Sequence, residues 1–519
     1  MAYRINHLNK KTGITYVYES ISYWDKAKKQ PRTKQVCIGK LDKDSGGFIP
    51  SKRLEPEQAA ARDPKVTASA QIIGPNIILD VITRELKLDK LLQKCSPDHY
   101  QQIKVMSYYL LHQGNALSHC ETWCDSHMPD IAATLSSQNI SDILDKISVD
   151  TKQTFIAGWL EQNSQDDYLC YDTTSISSYC DSNAYIRYGY NRDGEKLPQL
   201  NLAVVFGQNS GLPLYFQEVP GSINDVKTLN NLLKTIKALN SKPLNYVMDK
   251  GFYSKSNVDD LFATKSKFII SVPLSNKWLQ HAIDDIYTCV DDINGYQRID
   301  QEALYVHTRV HPWGDKRHRC YLHLYHNAIT RANAVNKFNA ELLSYKEELE
   351  SGNTIAAHQD AYDEFFIITT TPKRGRTISY NSHTINQYVK RYAGFYAILT
   401  NSVKDPVKSL QIYRDKDAVE KCFDDLKNHI DMKRLRMHTA KTVHGRLFVQ
   451  FIALIYMSAL RKKLRESGLM KQFTVRELLR EMDTITKITY SGKYRGIITE
   501  LTKSQNKVLD ALKIILPKT

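Results

Sequence analysis

The chain has 519 residues, of which 42% are hydrophobic and 24% charged, values that exclude a disordered protein and are typical of several globular domains. Its 71 Lys and Arg residues against 56 Asp and Glu residues give a formal net charge of +15, which favours a polyanionic partner, with nucleic acid as the first candidate. No stretch has the pattern of a signal peptide or approaches the roughly 20 apolar residues of a membrane span, and the cysteines form no closely spaced framework, so we expect a cytoplasmic protein with reduced thiols.

The first two predicted units differ in their periodicity. Residues 1–55 alternate polar and apolar side chains around Gly and Lys, which predicts a small N-terminal β unit with antiparallel strands. Residues 56–160 change to apolar repeats at three- and four-residue spacing, which predicts helices. We expect this second unit to be a helical DNA-binding or accessory domain.

The segment 161–275 alternates strands with helices. Three predicted strands are followed by a helix that begins at Asp225, a strand at LNYVMD, a second helix and a strand at KFIISVP. This order is compatible with a ribonuclease-H-like mixed sheet of the α/β class. The sequence therefore predicts the first part of a catalytic core in this segment.

The rest of the chain first interrupts and then resumes this pattern. Residues 276–390 contain further strand-like runs and a charged helix, and they are predicted to form an insertion subdomain. Residues 391–460 return to a buried strand, YAGFYAILTN, followed by an amphipathic helix and a long apolar helix, and form the predicted second part of the core. Residues 461–519 are predicted to be a C-terminal helical tail.

Two aspartates follow predicted buried strands. Asp172 comes after YLCY and Asp249 after LNYVM, and in both places polar residues or glycine interrupt the apolar run. A side chain at the end of a strand can leave the sheet and face a ligand above its edge. The alternative is that each aspartate only caps the following turn, which is the commoner role at such positions.

A third acidic position lies in the predicted helix YRDKDAVEKCFDDLKNHI. Tyr413, Lys416, Glu420 and Lys427 follow one another at spacings of three, four and seven residues, so they share one narrow sector if the helix is continuous. The alternative is an exposed helix whose Lys416–Glu420 pair has little energetic value.

These segments together resemble the DDE insertion-sequence transposases. YRDKDAVEKCFDDLK is similar to the Tyr-Arg-Glu-Lys signature of that family, which falls on Tyr413, Lys416, Glu420 and Lys427. Lys416 stands where the family usually has Arg, and Lys offers a phosphate a point charge in place of a bidentate fork. YDTTSI and VMDKGFYS resemble the two aspartate motifs of the family, and the resemblance covers about residues 75–460.

The resemblance implies a ribonuclease-H-like catalytic core interrupted by a mostly β insertion. The implied catalytic residues, which also hold two Mg²⁺ or Mn²⁺ ions per active site, are Asp172, Asp249 and Glu420. The implied DNA-binding residues are Tyr413, Lys416 and Lys427.

The same resemblance implies what such an enzyme does. It cuts the terminal inverted repeats of an insertion sequence, through a hairpin intermediate in members with this signature, and joins the 3′-hydroxyl ends to target DNA. A homodimer in the synaptic complex with DNA, no membrane partner and a nucleoid-associated location are expected. Two alternatives stay open: a metal-dependent nuclease without strand transfer, and a catalytically idle DNA-binding relic or repressor.

Two other groups of residues have less specific patterns. His119, Cys120, Cys124 and His127 have the composition of a zinc site, but zinc sites combine two closely spaced clusters and the second is missing, so a partly buried helix is favoured. Trp278 and Trp313 are positioned in or beside the insertion and could stack on an unpaired base, although most tryptophans belong to the core.

Overall fold

The first unit of the chain is built on antiparallel strands, as its alternating sequence predicts. They are β1 (Ala2–Asn9), β2 (Ile14–Asp25), β3 (Gln30–Leu41) and β4 (Phe48–Pro50), and they pair in that order. This unit comprises Met1–Ser69 and Ile488–Ile497, and a second unit comprises Ala70–Lys487 and Ile498–Thr519.

The computed structural model describes most of the chain. The residues outside the description are 1, 26–28, 44, 52–67, 115, 165–166, 180–182, 192, 224, 240–243, 373–374, 436–438, 492–495 and 517–519. The predicted boundary between residues 55 and 56 therefore lies outside the described residues.

Helices follow β5 (Ala68–Ile72), as the three- and four-residue spacing predicts. They are α1 (Gly74–Glu85), α2 (Leu88–Cys95), α3 (Tyr100–Gln113), α4 (Cys120–His127), α5 (Pro129–Ala132), α6 (Ser137–Lys146) and α7 (Val149–Asn163). The hydroxyl groups of Ser136 and Ser148 accept hydrogen bonds from backbone N–H groups in the first turns of α6 and α7. These caps satisfy N–H groups that have no partner within the helix, which explains where the two helices begin.

The next elements occur in the order that the sequence predicts. They are β6 (Tyr168–Ser178), β7 (Gln199–Gly207), β8 (Pro213–Pro220), α8 (Asp225–Leu239), β9 (Asn245–Met248), α9 (Lys255–Ala263) and β10 (Lys267–Val272). β9 lies between β6 and β10 and is parallel to both, whereas β7 lies between β6 and β8 and is antiparallel to both. The second unit is therefore a mixed α/β structure.

The predicted insertion is only partly β. Its elements are α10 (Lys277–Asp284), β11 (Tyr296–Ile299), β12 (Glu302–Trp313), β13 (His318–His326), α11 (Ala328–Ser351), α12 (Gln359–Phe365), β14 (Phe366–Thr371), β15 (Gly375–Tyr380), α13 (Ser382–Thr384) and a π-helix at Ile385–Lys390. The expectation of a mostly β segment is wrong for its second half, where α11 alone has 24 residues.

The first strands of the insertion extend the core sheet. β13 pairs with β16 (Phe395–Thr400), which in turn pairs with β10. Within the described residues the resulting sheet has ten strands in the order β11-β12-β13-β16-β10-β9-β6-β7-β8, with β17 (Arg434–Leu435) paired to the end of β6. The insertion and the core therefore share one continuous sheet.

The predicted helix over Tyr413–Lys427 is broken in the structure. It consists of α14 (Pro406–Arg414), α15 (Asp417–Asp424) and a π-helix at Asp425–His429. The chain turns at Asp415 and Lys416, where the Lys416 N–H bonds to the carbonyl of Tyr413 at 3.3 Å, a short-range contact that ends the regular ladder. The assumption of one continuous helix, and of one shared sector, is therefore wrong.

The longest helix of the C-terminal part is buried in the protein. α16 (Ala440–Glu466) is followed by α17 (Val475–Glu481), β18 (Thr486–Tyr490), β19 (Ile497–Ile498) and α18 (Lys503–Ala511). Among the described residues, α16 is the helix long and apolar enough to cross a membrane, contrary to the expectation that no stretch approaches that length, but 94% of its apolar window is buried inside the protein. A helix apolar on all sides is typical of a protein core.

Candidate active site

Asp172 and Asp249 lie side by side at one edge of the parallel part of the sheet. The pairing of β6 with β9 ends at Tyr171 and Met248, and the two aspartates are the next residues of their chains. The sequence predicts Asp172 at the end of a strand, but β6 continues to Ser178 while it pairs with β7, so Asp172 lies within the strand. It is the residue at which β6 loses its neighbour on the β9 side, and its charge, like that of Asp249, acts on Lys416.

Both aspartates accept hydrogen bonds from the turns that follow them. Asp172 Oδ1 accepts from the N–H of Thr173 at 2.8 Å, and Asp249 Oδ1 accepts from the N–H of Lys250 at 2.7 Å. Each aspartate therefore binds the backbone of the residue that follows it, as the alternative capping role predicts. Asp249 has a further donor, because the hydroxyl of Tyr413, 164 residues away in sequence, donates to Oδ1 at 2.7 Å. This contact ties α14 to the aspartate edge of the sheet.

The break between α14 and α15 directs Lys416 toward the carboxylates. Its Nζ lies 3.4 Å from Glu420 Oε1 and 3.9 Å from Asp249 Oδ2. Burial lowers the pKa of Lys416, but the charges of Asp249, Glu420 and Asp172 outweigh burial and leave this pKa above its ordinary value. Carboxylates from three separate segments therefore act on one ammonium group.

The electrostatic environment keeps Asp249 ionised. Burial raises the pKa of Asp249, but the hydrogen bond from Tyr413 and the charge of Lys416 outweigh it, so the pKa is held below its ordinary value. Burial and the neighbouring Asp249 carboxylate in turn raise the pKa of Tyr413. Tyr413 therefore stays protonated and able to donate.

The group is open to a large ligand. The side chains of Glu420 and Asp249 are 60% and 43% exposed, whereas that of Lys416 is 16% exposed. Two of the three carboxylates are therefore accessible from solvent, whereas the cation beside them is largely covered.

The three carboxylates fit divalent metal ions of the hard class. Carboxylate oxygens suit Mg²⁺ and Mn²⁺. The shared ammonium of Lys416 shows that this edge stabilises positive charge.

Lys427 does not join this group. Its Nζ lies 2.7 and 2.8 Å from the carboxylate oxygens of Asp193, in the connection between β6 and β7. Within the described residues it has no ion pair with the three carboxylates. The π-helix at Asp425–His429 is wider than an α-helix and changes the direction of side chains beyond it, a change that the spacing did not indicate.

Arg414 does not replace the arginine of the family signature. Its guanidinium lies 2.8 Å from Asp300 Oδ2 and 2.5 Å from Glu302 Oε2, at the start of β12. These bonds hold the end of α14 to the core sheet. Lys416 is therefore the residue of this segment that occupies the position beside the carboxylates.

Trp278 and Trp313 line an aromatic cavity of about 520 Å³. Trp278 stacks on His311 with ring centroids 4.6 Å apart, and its indole N–H donates to the hydroxyl of Tyr253 at 3.0 Å. Tyr253 follows β9 and other lining residues follow β10, so the cavity opens at the carboxyl ends of the strands, the edge that carries Asp249. The sequence indicated the tryptophans but not Tyr253 or His311.

The residues considered for zinc do not assemble into one site. Cys120 and Cys124 are buried with their sulfur atoms 3.9 Å apart, and His119 is exposed. His127 lies instead with His112 and Asp483. The indole N–H of Trp123 donates to His112 Nδ1 at 3.1 Å, so in the neutral ring Nε2 carries the proton and donates to Asp483 at 2.9 Å. Hydrogen bonds in this cluster therefore connect His112 of α3 with Trp123 of α4 and with Asp483.

Comparison with known proteins gives one family. Residues 163–456, which contain all three carboxylates, match the family model described as Transposase DDE domain. No curated protein matches the sequence.

Two solved structures are similar at low identity. One is a piggyBac transposase synaptic complex with hairpin DNA, with 9% identity and a TM-score of 0.34 over 77% of this chain and 69% of that chain. The other is a Drosophila P element transposase strand transfer complex, with 12% identity and a TM-score of 0.17 over 72% of this chain and 83% of that chain.

Proposed function

Because this chain belongs to the transposase DDE domain family, we propose that it cuts the inverted-repeat ends of an insertion sequence and joins the freed 3′-hydroxyl ends to target DNA. The observation that carries the proposal is the convergence of three carboxylates, from β6, the end of β9 and α15, around Lys416. Asp172, Asp249 and Glu420 are the proposed catalytic residues.

The proposed cofactor is Mg²⁺ or Mn²⁺, with two ions held by Asp172, Asp249 and Glu420. Bound there, the ions would lower the pKa of an attacking water or 3′-hydroxyl and stabilise the leaving oxygen. The low pKa of Asp249 supports this assignment, because an ionised carboxylate is the form that binds metal.

The remaining residues of the site position the carboxylates and the DNA. Tyr413 holds Asp249 through its hydroxyl group, and Lys416 offers one positive charge to a phosphate beside the carboxylates. Lys427, the third proposed DNA-binding residue, can reach a phosphate only after it leaves Asp193.

The aromatic cavity is proposed to receive an unpaired base near the cut end. Trp278 and His311 already form a stack there, and Tyr253 and Trp313 cover other walls. Stacking of a base on an aromatic side chain is worth roughly 1 to 3 kcal/mol, which would help hold an opened DNA end.

The proposed function also implies a fold for the catalytic core and an assembly on DNA. We propose a ribonuclease-H-like core over 161–275 and 391–460, supported by the order of strands β6 to β10, with the 276–390 insertion between the two parts. We propose that the helical domain (56–160) is a DNA-binding or accessory domain beside the N-terminal β unit (1–55) and the C-terminal tail (461–519). A homodimer on DNA follows from the need to cut two ends, and the net charge of +15 supports a cytoplasmic, nucleoid-associated location.

The test is cleavage and strand transfer of a labelled duplex that carries the terminal sequence flanking the gene, with Mg²⁺, Mn²⁺ or EDTA. Metal-dependent cleavage with joined products is expected. Cleavage without joining would indicate a nuclease, and binding without cleavage under every metal would indicate a DNA-binding relic.

A further inference from the structure

The connection between β6 and β7 exposes an unusual set of aromatic side chains. Tyr179, Tyr185, Tyr188 and Tyr190 are 63%, 42%, 73% and 84% exposed. Arg187 and Lys196, in the same connection, are exposed as well. Single exposed aromatics are ordinary on protein surfaces, but a cluster beside basic residues is typical of a surface that binds nucleic acid.

Hydrogen bonds hold this connection against the strand that carries Asp172. The carbonyl of Tyr190 accepts from the Gln199 amide at 2.8 Å and from the Ser175 hydroxyl at 3.5 Å, and the Asn191 amide donates to Ser177 Oγ at 3.1 Å. Ser175 is the third residue after Asp172 on β6. The backbone of Tyr190 is therefore fixed beside the candidate active site while its ring stands in solvent.

Two acidic side chains of the same connection form ion pairs with cations that lie beyond Glu420 in sequence. Asp193 binds Lys427 at 2.7 Å, and Glu195 binds Arg434 at 2.8 Å. The guanidinium of Arg434 also donates to the hydroxyl of Tyr179 at 2.8 Å. Lys427 belongs to the π-helix after α15 and Arg434 to β17, so both cations come from the segment that follows Glu420 in sequence.

We propose that the β6–β7 connection is a DNA-binding clasp: Tyr188 and Tyr190 stack on unpaired bases next to the cut site, and DNA phosphates displace Asp193 and Glu195 from Lys427 and Arg434. The proposal rests on the proposed function, because it names a further surface for the same DNA. A phosphate and a carboxylate accept the same hydrogen bonds from Lys and Arg. Partly exposed ion pairs contribute little to stability, so replacing them with phosphate contacts costs little free energy.

The first test measures binding of a labelled duplex with a short single-stranded tail, in EDTA, by fluorescence anisotropy. The double substitution Tyr188→Ala with Tyr190→Ala should weaken binding about tenfold or more, because two stacking surfaces are lost. Tyr188→Phe with Tyr190→Phe should bind like the wild type, because the rings remain. The matched control is Tyr296→Ala, which removes a half-exposed tyrosine from β11 at the far edge of the same sheet.

The second test removes the negative charge that binds Lys427. Asp193→Asn should tighten binding of the same tailed duplex by about threefold or more relative to Asp89→Asn, since both remove one negative charge but only the first frees Lys427. Asp89 is a suitable control because its pair with Lys104 has side chains 45% and 15% exposed, close to the 32% and 13% of Asp193 and Lys427.

The outcomes separate the clasp from the proposed function. If wild-type protein binds DNA but either test variant behaves like its control, the clasp is wrong and the transposase proposal stands. If wild-type protein binds neither the tailed nor the plain duplex, the proposed function itself fails.

Discussion

Lys416 is the residue at which the chain departs from the family signature. Its ammonium lies 3.4 Å from Glu420 and 3.9 Å from Asp249, in a partly buried position. At this position Lys supplies charge without the bidentate geometry of the Arg that the family usually has. A second cation is close by in sequence, but Arg414 is held by Asp300 and Glu302.

Lys416→Arg is expected to preserve or raise cleavage, because the fork of Arg can contact the same phosphate with two hydrogen bonds. Lys416→Met is expected to reduce cleavage by about 10²-fold, the usual cost of losing one group that stabilises charge in the transition state. Single-turnover cleavage of a labelled DNA end measures both. Lys421→Met, on the exposed face of α15, is the control and should cleave normally. A severe loss in Lys416→Arg would show that Lys416 makes a different contact.

Tyr413→Phe tests the positioning of Asp249. Loss of the hydroxyl removes the hydrogen bond that opposes burial, so the pKa of Asp249 should rise. The ionised form, which holds metal, is then lost at a higher pH as the solution is acidified. The acid limb of the cleavage rate should therefore move to higher pH, with little change above neutrality. An acid limb identical to that of the wild type would remove Tyr413 from this role.

At the scale of elements, α16 packs so closely against α6 that Gly445 of α16 has no room for a side chain. A Cβ on Gly445 would lie 2.1 Å from the carbonyl oxygen of Leu144, so Gly445→Ala must separate two helices. We expect a loss of about 1–3 kcal/mol in the free energy of unfolding. In Gly158→Ala, the control, the new Cβ meets only the flexible end of Leu91, and the better helix propensity of Ala should leave stability equal or higher. Equal effects of the two substitutions in urea unfolding would contradict this account.

The succession of strands and helices in the core was predictable, because apolar runs and helical spacing report local burial. The break at Asp415 and Lys416 was not predictable, since neither Gly nor Pro marks it, and the contact of Tyr413 with Asp249 joins residues 164 positions apart. The length of β6 was also hidden, because its Thr and Ser residues look like a turn but are buried by pairing with β7 and β17.

The site was predictable only as far as the family motif extends. The spacing predicted that Tyr413, Lys416 and Glu420 lie together, and in the structure a turn, not one helix face, places Tyr413 and Lys416 beside Asp249 and Lys416 beside Glu420. The partner of Lys427 lies 234 residues away, and no local pattern connects the two. Contacts of this range are decided by the fold as a whole.

At the scale of the molecule, a buried charge cluster links stability to pH. Burial raises the pKa of Glu218, but Lys152 at 3.1 Å and His444 at 2.8 Å outweigh burial and lower it to about 2. Because the folded pKa is depressed, the stabilisation is complete above the ordinary pKa of 4.5 and is lost as the pH falls toward about 2.

Glu218→Gln should therefore lower the melting temperature clearly at neutral pH, since Lys152 loses its buried counter-charge, and the difference from the wild type should shrink below about pH 4.5. Thermal unfolding at several pH values measures it. Glu347→Gln, an exposed position on α11, is the control and should change little. A difference that stays constant down to pH 3 would show that ionisation of Glu218 does not contribute.

The central claim is that Asp172, Asp249 and Glu420 form one metal-dependent site for cutting DNA. The most direct measurement is Mg²⁺- or Mn²⁺-dependent cleavage of a labelled element end by Glu420→Gln, beside wild-type protein and Asp424→Asn, an exposed acidic control one turn further along α15. The account predicts that Glu420→Gln binds the DNA as the wild type does but cleaves none of it, while Asp424→Asn still cleaves. Full cleavage by Glu420→Gln would contradict the account and remove Glu420 from the site.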